Sequence, residues 1–180
     1  MLGTNNLKKI HFIGVGGAGM SGIAEILLNM NYKISGSDNT PSTITKRLEK
    51  IGLDFYDFHS AENLKDVDLV VFSSAIKINN PELVEAEKKG IKIIQRAEML
   101  AFLSELRESI IFAGSHGKTT TTCITAHIFK ENKLDPTYII GGKVSSFESN
   151  AKLGNGKHIL AEADELSLIH ISEPTRREGI

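Results

Sequence analysis

Among its 180 residues the chain has no tryptophan, one cysteine and four prolines. With only Cys123 available, no intrachain disulfide can form, and a disulfide-stapled scaffold is excluded. The same scarcity favours a reducing compartment, so the expected localisation is cytoplasmic. No apolar run approaches the roughly 20 residues of a membrane span. The opening stretch LKKIHFIGVGG has glycines where a secretory signal would continue its apolar run, so no signal peptide is expected. An excess of one charge is missing too: 21 Lys and Arg stand against 22 Asp and Glu. That balance gives no reason to expect nucleic acid or an anionic membrane as partner. What is present, 41% hydrophobic and 24% charged residues, is enough to bury the core of a globular protein.

Short β-rich runs alternate with helical patterns. KKIHFIGV reads as a strand, and AGMSGIAEILLNM as a helix with Ile23, Ile26, Leu27 and Met30 on one stripe. YKISGSD, LDFYDF, DVDLVVFSSAI and IKIIQ read as further strands. TPSTITKRLEKIG, NPELVEAEKKG and RAEMLAFLSELR read as the helices between and after them, two of them with Pro near the start and Gly past the end. This rhythm predicts an α/β fold, a Rossmann-like parallel sheet with helices on both faces. Near residues 98–108 the pattern restarts with SIIFAGSHGKTTTTCITAHIFKEN, again strand, glycine turn and helix. The restart predicts the start of a P-loop ATPase-type α/β domain. The expected units are therefore 1–98, 99–165 and a remainder at 166–180.

GVGGAG supplies G-x-G-x-x-G at Gly14, Gly16 and Gly19, after a strand and opening a helix. Gly14 allows the turn, Gly16 lets backbone approach a diphosphate, and Gly19 lets helix and strand pack closely. Amides at the helix start would hold the phosphates. Asp38 follows Gly19 by 19 residues and closes the second strand, where an acid usually bonds ribose hydroxyls. These features serve NAD or a UDP-sugar equally.

The second loop, AGSHGKTTTT, departs from G-x-x-x-x-G-K-[ST]. Phe112 stands where the first glycine belongs, and Gly114 comes two residues later. Even so, amides from Gly114 to Thr119 can form an anion-binding nest. Lys118 offers an ammonium to β- and γ-phosphates, and Thr119 a hydroxyl to Mg2+. Four threonines are poor helix formers and point to hydroxyl chemistry. HILAEADE then brings Glu162, Asp164 and Glu165 to a strand end, where clustered acids repel unless a cation sits among them. His116 suits phosphate contact or loop shaping. Cys123 reads as packing, and His59 as a residue within reach of a ligand of the first unit. His11, His127, His158 and His170 show no convergent partners in the sequence.

Together HFIGVGGAGMSGIAE, SGSD, VVFSSAI, RAEMLAFL, GSHGKTTTT, GGKV…NAKLGNG and AEADE resemble the Mur ligases of bacterial cell-wall synthesis, over residues 8 to 165. The family uses a shortened G-[ST]-x-G-K-[TS] loop, matched at Gly114 to Thr119, and the GGAGMSG start is similar to its alanine-adding branch. The resemblance implies ATP-dependent joining of L-alanine to the carboxylate of UDP-N-acetylmuramate through an acyl phosphate. It implies ATP and Mg2+ as cofactors, and UDP-N-acetylmuramate and L-alanine as small-molecule partners. Gly114, Ser115, His116, Gly117, Lys118, Thr119 and Thr120 would bind ATP, with Lys118 the catalytic group. Thr119 and Glu162 would ligate the metal. Gly14, Gly16, Gly17, Ala18 and Gly19 would line the UDP-sugar site, with Asp38 beside them.

The family continues past AEADE with the rest of the ATPase domain and a further C-terminal domain, so this chain is expected to bind nucleotide without completing the reaction. Leu166 to Arg176, LSLIHISEPTR, resembles one reading frame of a widely used transposon-end sequencing adapter, and 166–180 is read as a non-native tail. The alternatives are an NAD-dependent oxidoreductase, which leaves GSHGKTTTT unexplained, and a non-enzymatic nucleotide-binding module.

Overall fold

The computed structural model describes residues 8–141 and 151–162. Asp164, Glu165, His170 and the segment 166–180 lie outside them, so the readings made there have no structural counterpart. The first sheet holds β1 (Lys9–Ile13), β2 (Lys33–Ser37), β3 (Asp54–Tyr56), β4 (Leu69–Phe72) and β5 (Lys92–Gln95). They run parallel in the order β3-β2-β1-β4-β5. Helices α1 (Ala18–Asn29), α2 (Thr43–Lys50), α3 (Pro81–Lys88) and α4 (Arg96–Glu105) connect and follow the strands. Right-handed crossovers of this kind leave helices on both faces. The strand order reverses direction between β1 and β4, where open α/β sheets bind ligands.

Alternation along β1 divides the two faces. Ile10 and Phe12 join Met20, Ile23, Leu27, Leu48 and Leu100 in the larger apolar core, against α1, α2 and α4. Ile13 points the other way and packs with Val70, Leu83 and Ala86 beneath α3. Burying a Leu, Ile or Phe side chain is worth about 1.5–3 kcal/mol, so the larger cluster is the main stabiliser of this sheet.

The chain then enters a second sheet, built from β6 (Glu108–Phe112), β7 (Thr137–Ile139), β8 (Ala151–Lys152) and β9 (His158–Glu162), with α5 (Lys118–Glu131) after β6. Its order is β6-β9-β7-β8, and only β8 is antiparallel. Ile139, Ala151 and Ile159 extend the core formed by Ile26, Leu27 and Leu103, so apolar packing runs without a break from one sheet to the other. Arg107 Nη1 donates to the carbonyls of Gly154 (2.9 Å) and Gly156, tying the β8–β9 turn to the start of β6. α5 buries only Thr122 and Ala126, while Ile124 and Ile128 remain 55% and 51% exposed.

Candidate nucleotide-binding sites

Both glycine loops follow a strand and open a helix. A helix start leaves amides unpaired, and side chains usually satisfy some of them. Ser42 accepts from the Thr45 amide at α2, Asn80 from the Glu82 amide at α3, and Glu98 from the Gln95 amide at α4. α1 and α5 begin instead at Gly17 and Gly117, with no side-chain cap hydrogen bond and no acid in the first turn. Those two helix ends keep their partial positive charge for an anion.

At the first loop, the Gly14 and Val15 amides donate to the Ser37 carbonyl (2.8 and 3.1 Å), which hangs the turn from the end of β2. Asp38 takes the Gly16 amide on Oδ2 (2.9 Å) and the Thr40 amide on Oδ1 (3.0 Å). A Cβ on Gly16 would lie 2.8 Å from that same Oδ2. Gly16 is therefore needed for the approach of Asp38, and Asp38 shapes the loop, a role beyond the ribose contact read from the sequence. The Ser73–Ile76 turn after β4 closes the other side, with Ile76 Cδ1 3.2 Å from where a Gly14 Cβ would sit.

The second loop runs from the end of β6 into α5. Gly114 and Gly117 have φ of +151° and +79°, backbone that a side chain would strain. Ser115, His116 and Thr120 are exposed on its surface. Lys118 Nζ donates to the Gly114 carbonyl at 2.5 Å, so the ammonium lies against the cradle it would share with phosphate. Pairing of β6 with β9 sets Phe112 beside Glu162 and brings that carboxylate to the loop. Glu162 is 4% exposed; it accepts from Thr119 Oγ1 at 3.1 Å and from the Gly141 amide at 3.3 Å. The remaining threonines divide: Thr121 and Thr122 hydroxyls bond back to the Gly117 and Lys118 carbonyls (2.9 Å each). Hydroxyl chemistry at a ligand is thus left to Thr119 and the exposed Thr120, not to all four. Burial, then the charge of Glu162, pushes the Cys123 thiol up, which suits packing and not nucleophilic attack.

The Thr119–Glu162 pair passes a simple test of fit for Mg2+. Adjacent oxygens of an octahedral Mg2+ at about 2.1 Å are about 3 Å apart. Thr119 Oγ1 and Glu162 Oε2 have that spacing. No group of three or more His, Cys, Asp or Glu able to hold a metal occurs among the described residues.

Three histidines have partners that the sequence did not reveal. His11 is fully buried in β1, with Nδ1 2.9 Å from Ser35 Oγ and Nε2 3.1 Å from Glu82 Oε1. His59 Nδ1 lies 2.8 Å from Ser37 Oγ and 3.0 Å from Glu82 Oε2. Asn63 Nδ2 donates to Glu82 Oε1 at 2.8 Å. His11 therefore does have convergent partners, brought in from α3 and β2 and distant in sequence. His158 packs edge-on to Phe129, with Nε2 3.4 Å from Glu108. Burial opposes ionisation of Glu82, but the bond and charge of His11, then the bonds of Ser37 and Asn63, hold its carboxyl below the usual range.

A doubly wound sheet with a glycine turn at its switch point, followed by a glycine–lysine–threonine loop facing a buried carboxylate, defines an α/β protein whose two glycine loops stand where phosphate-binding loops stand. Residues 9–108 match the family model described as the Mur ligase family, catalytic domain. The chain belongs to the Mur ligase family. It is 55% identical over 159 residues to a UDP-N-acetylmuramate–L-alanine ligase of Pelobacter propionicus, covering 88% of this chain and 35% of that protein. With the enzyme of the same name from Desulfatibacillum aliphaticivorans it shares 58% identity over 157 residues, 87% of this chain and 34% of the other. Among solved structures, the UDP-N-acetylmuramate-alanine ligase of Thermotoga maritima aligns with a TM-score of 0.78 at 35% identity, over 86% of this chain and 37% of that one. A murein peptide ligase from Psychrobacter arcticus aligns with a TM-score of 0.80 at 25% identity, over 88% and 38%. The chain spans about a third of the length of the curated relatives it matches.

Proposed function

We propose that the chain carries the two nucleotide-binding loops of an ATP-dependent ligase that joins L-alanine to the carboxylate of UDP-N-acetylmuramate. The first unit, 1–98, is the UDP-sugar-binding part, and 99–165 begins the ATP-binding part. The observation that carries this reading is the pair Thr119–Glu162, 3.1 Å apart beside an uncapped helix start. An oxidoreductase has no use for that arrangement.

In this reading the Gly17 end of α1 receives the UDP diphosphate, with the turn held from below by Ser37 and from the side by Asp38. The amides of the Gly114–Thr119 loop cradle the ATP phosphates, and Lys118 exchanges its carbonyl partner for phosphate oxygens. Thr119 and Glu162 would hold Mg2+, which would supply positive charge against the transferring phosphoryl group. Transfer of the γ-phosphoryl group to the substrate carboxylate would release ADP and leave an acyl phosphate, and attack by the neutral alanine amine would form the amide, expelling phosphate and a proton.

With about a third of the relatives' length, the chain binds nucleotide and does not complete the ligation. The test is phosphate release from purified chain given UDP-N-acetylmuramate, L-alanine and Mg-ATP. Little or no alanine-dependent release is expected, and robust release would overturn the binding-only reading of the chain.

A further inference from the structure

The face of the first sheet beneath α3 is apolar on one side of β1 and polar on the other. Val70, Leu83 and Ala86 fill the apolar half. His11, Ser35, Ser37, Asn63 and Glu82 fill the polar half, all buried. Glu82 has no solvent exposure and accepts from four side chains: His11 and Asn63 on Oε1, Ser37 and His59 on Oε2. An ionised carboxylate only accepts, so each of these neighbours has to donate. The Ser37 hydroxyl spends its single hydrogen on Glu82 at 2.6 Å. Its 2.8 Å contact with His59 Nδ1 therefore has the ring donating. Both contacts thus place the proton of a neutral His59 on Nδ1, where Ser37 Oγ and Glu82 Oε2 share it.

That requirement reaches the first glycine loop. Ser37 is the residue whose carbonyl holds the Gly14 and Val15 amides. The His59 side chain is 14% exposed, and its Nε2 has no protein partner among the described residues. With Nδ1 turned inward to Ser37 and the carboxylate, Nε2 is the ring nitrogen left for a ligand.

We infer that Glu82 is a positioning residue of the first nucleotide site. Its carboxylate fixes Ser37 beneath the glycine turn and sets the tautomer of His59, so that Nε2 presents a lone pair to a hydrogen-bond donor on the nucleoside end of the ligand. This rests on the UDP-sugar reading of the site.

The test uses the whole chain, with long-range proton–nitrogen spectra of the imidazoles and calorimetric titration with UDP-N-acetylmuramate. The wild type should hold neutral His59 in the Nδ1–H form, opposite to the preference of free imidazole side chains. Glu82→Gln keeps the shape but turns one acceptor into a donor, so one of the two imidazoles must invert its tautomer. Its affinity should fall about tenfold with the circular dichroism spectrum retained. Nε2–H at His59 in the wild type overturns the inference, as does a folded Glu82→Gln with both tautomers and the affinity unchanged. A wild type that binds no UDP-N-acetylmuramate sinks the proposed function instead, and the tautomer spectra then decide alone whether Glu82 governs His59.

Discussion

Replacing Glu82 by alanine should destabilise the first sheet by about 3–5 kcal/mol, as much as deleting a large core side chain. The magnitude follows from what loses a partner. Asn63 keeps the Phe58 carbonyl at 2.9 Å, and His59, 14% exposed, can turn to water. The His11 Nε2–H and the Ser37 hydroxyl are both fully buried and are left without the carboxylate. Each stranded donor costs about 1–3 kcal/mol, toward the upper end for bonds to a charged partner. Against a total stability of about 5–15 kcal/mol, such a loss is large. Urea unfolding followed by far-UV circular dichroism measures it, since the chain has no tryptophan for fluorescence. Leu27→Ala, a fully buried apolar position, serves as the yardstick at about 2–5 kcal/mol. The pH dependence has a definite sign. A carboxyl whose folded pKa lies below its unfolded value stabilises above the unfolded pKa, and that stabilisation fades as pH falls through the folded one. The Glu82 contribution should thus be complete at pH 7 and shrink only below the ordinary glutamate pKa of about 4.3. A Glu82→Ala loss under about 1 kcal/mol at pH 7 would refute the claim that this carboxylate organises the sheet face.

Gly36→Ala should cost about 1–3 kcal/mol by urea titration, because a Cβ there would lie 2.8 Å from Val15 Cβ and 3.1 Å from the Phe12 carbonyl. A neutral effect would mean that the turn above β2 is looser than its contacts imply. Thr119→Val should abolish any Mg2+ dependence of ATP binding while leaving UDP-N-acetylmuramate binding intact, read by calorimetry with and without Mg2+. Ile124→Lys with Ile128→Glu should lower light scattering at high concentration, since both isoleucines are exposed on α5, and unchanged scattering would remove that face as the source of association.

The elements of the first sheet were legible because each carries its own local signal. Pro81 with Asn80 before it starts α3, and buried runs such as LVVF have no polar face to mislead. β7 and β8 were not legible: three and two residues leave no period to read, and β8 is defined only by its partner. The loop residues Gly114 to Thr119 could be read because the spacing itself is the chemistry. The pairing of Thr119 with Glu162 was expected from residue types, and it depends on β6–β9 register that no local pattern encodes. His11 was missed for the same reason. It sits in an apolar strand, and its partner Glu82 is 71 residues away on a helix whose N-terminal turn looks like an ordinary charged surface. A buried histidine in a strand followed by Ser at alternate positions of the next strand is the one signal that could have pointed to a polar sheet face.

The central claim is that the first glycine turn takes a UDP-sugar and not a nicotinamide cofactor. Calorimetric titration of the chain with UDP-N-acetylmuramate, repeated in saturating NAD, tests it most directly. The account predicts a saturable one-to-one isotherm that NAD leaves unchanged. A flat isotherm, or displacement by NAD, would contradict it.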